Sequence, residues 1–162
     1  MKQFLLIAFF SFAVNAQAIE KSEFQDVCGE LGKDSDFAFV LGGKVTKIID
    51  SNTIFVKVEG KRRIVDLVAV NVNSNKTEAV KFLSDKILNQ EVEILVSPSD
   101  FEDKKVFAVV HFKGKDINRS MIENGIARYE KPRLYKILRH TNCVYQHLEG
   151  KAKEAKLGIW AK

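Results

Sequence analysis

The chain has 162 residues, 46% of them hydrophobic and 29% charged, with 26 Lys and Arg against 21 Asp and Glu for a formal net charge of +5. That length suits one domain around one core and leaves no room for several. The basic excess is mild and its signs are interspersed, so charge permits an anionic partner without demanding one. Repeats, Pro-rich linkers and low-complexity tracts are absent.

Residues 1–18 read as a secretory signal peptide. Lys2 supplies the positive start, the run from Phe4 to Val14 is almost wholly apolar, and Ala16-Gln17-Ala18 is a small-x-small cleavage site. The run is too short to remain as a membrane span. No cysteine follows the cleavage site, so a lipid anchor is not expected, and the expected location is the periplasm or the cell surface. Residues 19–42 form an N-terminal extension with a short helix in EFQDVCGEL, where Phe24, Val27, Cys28 and Leu31 share a face. Cys28 and Cys143 are the chain's two cysteines. In an oxidising compartment they read as one disulfide that ties the extension to the C-terminal helix.

After Gly42-Gly43 the pattern turns to strand. KVTKIID and TIFVKVE alternate, and Glu59-Gly60 turns the chain into RRIVDLVAV, giving three consecutive antiparallel strands. Residues 75–90 change to helical spacing, with Ala79, Leu83 and Ile87 in register, Asn75 as N-cap and Glu78 placed to reach back to it. EVEILV and KVFAVVHF return to strand around the polar loop Ser97–Lys104. DINRSMIENG is a short helix closed by Gly125, IARY is a brief extended piece, and an amphipathic helix runs from about Asn142 to Lys156. This order predicts an α+β fold: a five-stranded OB-type Greek-key β-barrel with a helix inserted between strands three and four, followed by C-terminal helices.

Four ordered segments then resemble the staphylococcal nuclease (thermonuclease) family: IIDSNTIFVKVEG, TEAVKFLSDKILNQEVEI, INRSMIENGIARY and HLEGKAKEAKLGIW. The resemblance runs from about Gly43 to Trp160, so residues 43–162 are taken as the nuclease-like domain. It implies a chemistry in which aspartates hold calcium against the scissile phosphate, a glutamate activates water, and two arginines grip the phosphorus oxygens. A hard cation wants carboxylate oxygens, and a pentavalent phosphorus wants guanidinium forks.

Position by position, the resemblance places other residues there. Asp50 and Thr53 remain in the hairpin turn, but Asn52 stands for the second aspartate. Asp66 stands for the first arginine, Asn71 for a metal-binding aspartate, Ser74 for the glutamate and Lys105 for the second arginine. Arg62 and Arg63 lie nearby; on a strand Arg63 faces away from Asp66, and Arg62 faces the same way but lies roughly 13 Å along it. The expectation is a pseudonuclease without catalytic residues, cofactor or metal, acting by binding other envelope proteins, with a secretion apparatus as one setting. The alternatives are a calcium-dependent nuclease rebuilt on Asp50, Asp66, Glu78 and Lys105, and a nucleic-acid-binding protein that does not cut.

Other chemistry is sparser. His140, Cys143 and His147 share a helical face with zinc-type donors, but a fourth ligand is missing and the disulfide competes for Cys143. His111 reads as an outward-facing polar residue with no carboxylate beside it. Phe101, Phe107, Phe112 and Tyr129 could stack bases, although core packing accounts for inward-facing aromatics. Lys131, Arg133, Lys136 and Arg139 form the densest basic cluster, a solvated loop or a contact patch for an acidic partner.

Overall fold

The structure, a computed structural model, describes residues 24, 27–29, 39–96, 105–132 and 139–161. The signal segment, Leu31, Phe101, the loop Ser97–Lys104, Arg133, Lys136 and the side chain of Arg139 therefore lie outside the described residues. Among the described residues Phe24, Val27 and Cys28 are helical, and eight strands and three longer helices follow in order: β1 (Phe39–Asp50), β2 (Thr53–Val58), β3 (Lys61–Leu67), β4 (Val70–Asn71), α1 (Lys76–Ile87), β5 (Glu91–Val96), β6 (Lys105–Phe112), β7 (Lys115–Asp116), α2 (Ile117–Glu123), β8 (Arg128–Tyr129) and α3 (Arg139–Glu154). A 3-10 turn, Gly158–Trp160, ends the described chain.

Five strands close a mixed barrel, as the alternation pattern predicts. The sheet order is β3-β2-β1-β5-β6, and β3 meets β6 in parallel to complete the ring. Closure removes the free edges that an open sheet would offer. Alternate residues point inward: Val45, Ile54, Val56, Val65, Ile94, Val96, Ala108 and Val110 are all 0% exposed. From α1, Ala79, Leu83 and Ile87 join the same core. Each buried Leu or Ile contributes about 1.5–3 kcal/mol of transfer free energy.

β1 starts at Phe39, upstream of the Gly42-Gly43 pair at which the sequence pattern turns to strand. Its first half pairs with β5 and its second half with β2. Serving two neighbours requires a bend, which two bulges between Val45 and Asp50 supply. Gly43 sits at the change of partner. A Cβ there would lie 2.7 Å from Val56 Cγ1 and 2.9 Å from the Lys57 carbonyl oxygen. The glycine therefore marks close packing inside a strand, not its beginning.

The helices differ from the sequence expectation in detail. Asn75 makes no side-chain capping bond to the α1 backbone; the Glu78 carboxylate accepts from the Asn75 side-chain amide instead. α3 begins at Arg139, three residues before Asn142. Asp116 caps α2 by accepting from the Arg119 N–H at 2.9 Å. Its other carboxylate oxygen accepts from the Tyr145 hydroxyl of α3 at 2.5 Å. Gly125, in the left-handed region at φ 65°, ends α2 so closely against the C-terminal turn that Ile159 N–H donates to its carbonyl at 2.9 Å.

Cys28 and Cys143 form a disulfide. It joins residues 115 positions apart, and closing so long a loop in the unfolded chain is worth about 4–5 kcal/mol in the chain-entropy view. Phe24, 3% exposed, packs beside it and meets the His147 ring edge-on at 6.0 Å. Among the described residues no helix is long and apolar enough to cross a membrane.

Candidate functional site

The β1–β2 hairpin, β3 and β6 gather most of the residues that the resemblance sets at the nuclease site. Ser51 and Asn52 form the turn, which is short enough that the Ser51 N–H donates to the Asp50 carboxylate at 2.7 Å. Thr53, the first residue of β2, is the cross-strand partner of Asp66 on β3. Its hydroxyl donates to Asp66 Oδ1 at 2.8 Å. On the far side of β3, the parallel register sets Phe107 opposite Asp66 and Lys105 opposite Ile64. Two residues along a strand return to the same face, so Lys105 lies on Asp66's side and its ammonium reaches Oδ2 at 2.7 Å. The Asp66 side chain keeps 12% of its surface exposed and that of Lys105 54%. Such a half-wet pair stabilises the fold by under about 1 kcal/mol. Its larger effect is on the field: each charge is answered within the site.

The amides stand beside this pair. Asn52 donates from Nδ2 to the Val70 carbonyl at 3.4 Å, and its backbone carbonyl accepts from the Leu67 N–H at 2.9 Å. Asn71 follows Val70, held by the β4–β8 pairing, and donates from Nδ2 to Glu130 at 2.9 Å. Its Oδ1 is enclosed without a hydrogen-bond partner. Ser74 is exposed in the turn ahead of α1. Asn52, Asp66 and Lys105 are thus brought together around Thr53, with Asn71 beyond Val70. No described hydrogen bond links Ser74 to them.

The donor set can be tested against calcium. A calcium ion takes six to eight oxygens and needs carboxylates among them to offset its desolvation. Here Asp50 already accepts a backbone N–H, Asn52 and Asn71 offer neutral amides, and Asp66 is neutralised by Lys105. The orphaned Asn71 Oδ1 is one good oxygen without the others. Among the described residues no three of His, Cys, Asp and Glu cluster tightly enough to hold a metal ion. These residues do not fit a calcium ion.

Elsewhere the structure redraws several sequence readings. Cys143 is committed to Cys28, which removes the thiolate from the His140–Cys143–His147 face. His111 does have a carboxylate beside it: the β6–β7 hairpin pairs it with Asp116. That carboxyl's pKa is raised above 3.8, chiefly by loss of water, while the Tyr145 hydroxyl, the Arg119 N–H and the charges of His111 and Arg119 pull it down. The same enclosure, with Asp116 beside it, pushes the Tyr145 hydroxyl well above 10.0. Phe107 is 45% exposed and is not a core residue, whereas Phe112 and Tyr129 pack partly buried against the core. Of the basic cluster, Lys131 is exposed; Arg133, Lys136 and the Arg139 side chain lie outside the described residues.

Two features escape a reading along the chain. Asn118 is fully buried, donates to the Val68 and Ala108 carbonyls at 3.0 Å each, and accepts from the Val110 N–H at 3.1 Å. Lys44, Lys57 and Arg62 come together only across strands, through the β1–β2 and β2–β3 registers.

A family model described as "Staphylococcal nuclease homologue" matches residues 57–162. The match opens inside β2, so it contains Asp66, Asn71, Ser74 and Lys105 but not the β1–β2 turn. No curated protein matches the sequence.

Proposed function

Given that the chain belongs to the staphylococcal nuclease homologue family, we propose that it is a pseudonuclease, exported to the cell envelope and acting there by binding. It would serve as an accessory subunit of an envelope assembly, of which a secretion apparatus is one kind. The observation that carries this reading is the contact between Asp66 and Lys105.

Cleavage of a phosphodiester needs donors that wait unsatisfied for the charge that develops on phosphorus, and losing even one costs about a hundred- to a thousand-fold in rate. Where the resemblance sets two arginines, this chain sets a carboxylate and an ammonium that satisfy one another. A phosphate arriving there would meet a neutral pair and, beside it, amides in place of metal carboxylates. The tripartite N-terminus and a disulfide of the kind kept in oxidising compartments support export.

Incubating the purified protein with single-stranded DNA and calcium tests the loss of cleavage. The expected result is DNA as intact as in buffer. Rapid, calcium-dependent degradation that disappears when Asp50 is changed to Asn would establish the rival reading, a working nuclease. Cross-linking in the native envelope tests the second half, and a free monomer as the sole species would remove the accessory role.

A further inference from the structure

Across β1, β2 and β3 the register sets Lys44 opposite Lys57, and Lys57 opposite Arg62. The next row sets Lys47 opposite Phe55, and Phe55 opposite Ile64. The four cations are exposed on the outside of the barrel, whereas Val45 and Val56, their inward neighbours, are 0% exposed. Neighbouring strands lie about 4.8 Å apart, so three like charges are held within roughly 10 Å by the backbone itself. Like charges directly opposite one another destabilise a sheet. Among the described residues Glu91 stands opposite Lys44 on β5 and exposed Glu59 lies at the turn after Lys57, yet none of the four cations is ion-paired with a described carboxylate.

We infer that this outer face of β1–β2–β3 is a docking surface for an acidic protein. The chemistry of its side chains separates that partner from a nucleic acid. Strands of nucleic acid are held by cations together with open rings on which bases stack. The ring within these rows, Phe55, is half-buried, and the Arg62 guanidinium lies over it at 5.0 Å. Held over the ring in this way, exposed Arg62 has little rotamer freedom left to lose on meeting a carboxylate, which its planar fork suits. An Arg and a Phe packed together beside a half-buried Ile also match the composition of protein interfaces, where such groups anchor and charges at the rim steer approach. The inference rests on the reading of the protein as a binding component, and its readout does not involve cleavage.

The test uses the full disulfide-bonded protein and a labelled glutamate-rich peptide, followed by fluorescence anisotropy at low and raised salt. Three proteins are compared: the parent, a face variant carrying Lys44→Glu, Lys57→Glu and Arg62→Glu, and a control carrying Lys76→Glu, Lys86→Glu and Lys115→Glu, which makes the same change in net charge. The expected result is salt-sensitive binding that the face variant loses by about tenfold or more and the control keeps. If the triple face variant does not fold, Lys57→Glu alone breaks the row and should show the same direction of effect. Failure of the parent to bind, or equal losses in both triples, would overturn the assignment. So would displacement of the peptide by oligo(dT), or by phosphatidylglycerol vesicles, at lower concentration than by unlabelled peptide. A parent that both binds the peptide through this face and degrades DNA would leave the docking surface standing and remove the pseudonuclease reading.

Discussion

Lys105, at the start of β6, answers Asp66 on β3 across a parallel strand pair, with 2.7 Å between ammonium and carboxylate. The pair is lopsided, because Asp66 is largely enclosed and Lys105 stands half in water. Asp66 also receives the Thr53 hydroxyl. Replacing Asp66 with Ala should therefore cost about 1–2 kcal/mol, mostly through the lost charged bond and a Thr53 hydroxyl left with only the longer 3.4 Å contact to Asn52 Oδ1. Replacing Lys105 with Ala should cost less than about 1 kcal/mol. Urea unfolding of the two variants checks the order, and a larger loss for Lys105 would contradict it. On the pseudonuclease proposal, rebuilding the site with Asp66→Arg, Lys105→Arg, Asn52→Asp, Asn71→Asp and Ser74→Glu should raise calcium-dependent cleavage well above that of the parent.

Asn118 ties the β3–β4 corner to β6 with three backbone hydrogen bonds. Removing its amide takes these partners from the Val68 carbonyl and the Val110 N–H, while the Ala108 carbonyl keeps the Val68 N–H at 2.9 Å, so Asn118→Ala should destabilise by about 2–4 kcal/mol. Asn118→Asp should be at least as damaging, since a carboxylate would face two carbonyl oxygens in place of an amide donor. Melting temperatures rank the two, and an Asp variant close to the parent would refute the donor role.

Asp116 makes stability depend on pH in a known direction. Its pKa is raised in the folded chain, so the folded state holds that proton more tightly than the unfolded state does. Its contribution is fully present below the ordinary value of 3.8 and is lost as pH rises through the raised value. The amide introduced by Asp116→Asn cannot ionise and can still cap α2. The stability of Asp116→Asn relative to the parent should therefore improve as pH climbs from 3.8 upward and then level off. Urea midpoints at stepped pH values measure this, and a difference moving the other way would show that the carboxylate is better paired than its enclosure implies.

Gly125 meets the C-terminal turn with no space to spare. A Cβ would lie 2.3 Å from the Leu157 carbonyl oxygen, and φ is 65°. Gly125→Ala therefore combines a backbone cost of about 1–2 kcal/mol with a clash that must push the turn away. Trp160, held between Arg128 and Lys153 with each cation 4.6 Å from the ring, should then report a more solvated indole by fluorescence. An unchanged emission spectrum and melting temperature would show that the turn is not seated there.

Much of the fold was legible along the chain because alternation and helical spacing are local patterns. The five barrel strands and the helix between the third and fourth follow from them, as does the stop at Gly125. What was illegible depends on partners distant in sequence. Gly42-Gly43 reads as a boundary until β2 is seen packed against Gly43. Asp66 and Lys105 each read as a lone substitution, and only the parallel register makes them one contact. The basic row is spread over three strands, so no window of sequence contains it, whereas the cluster at Lys131 to Arg139 is conspicuous because it is contiguous. Asn118 stands out along the chain only as the asparagine of the INRSMIENGIARY resemblance; its burial comes from the barrel it closes.

The seam between β3 and β6 can close only once β6, the last strand of the ring, is in place. Every other junction in the ring joins antiparallel strands, whereas this one is parallel and, like the β1–β5 junction, joins strands with other elements between them. Pairings so remote along the chain make folding slow, on the scale of milliseconds to seconds. Until β6 arrives, β3 is an open edge able to recruit the wrong strand. A chain exported unfolded would carry that open edge until the last part of the barrel had followed it across the membrane, so a chaperone that shields nascent strands on the far side would have its greatest effect during that interval.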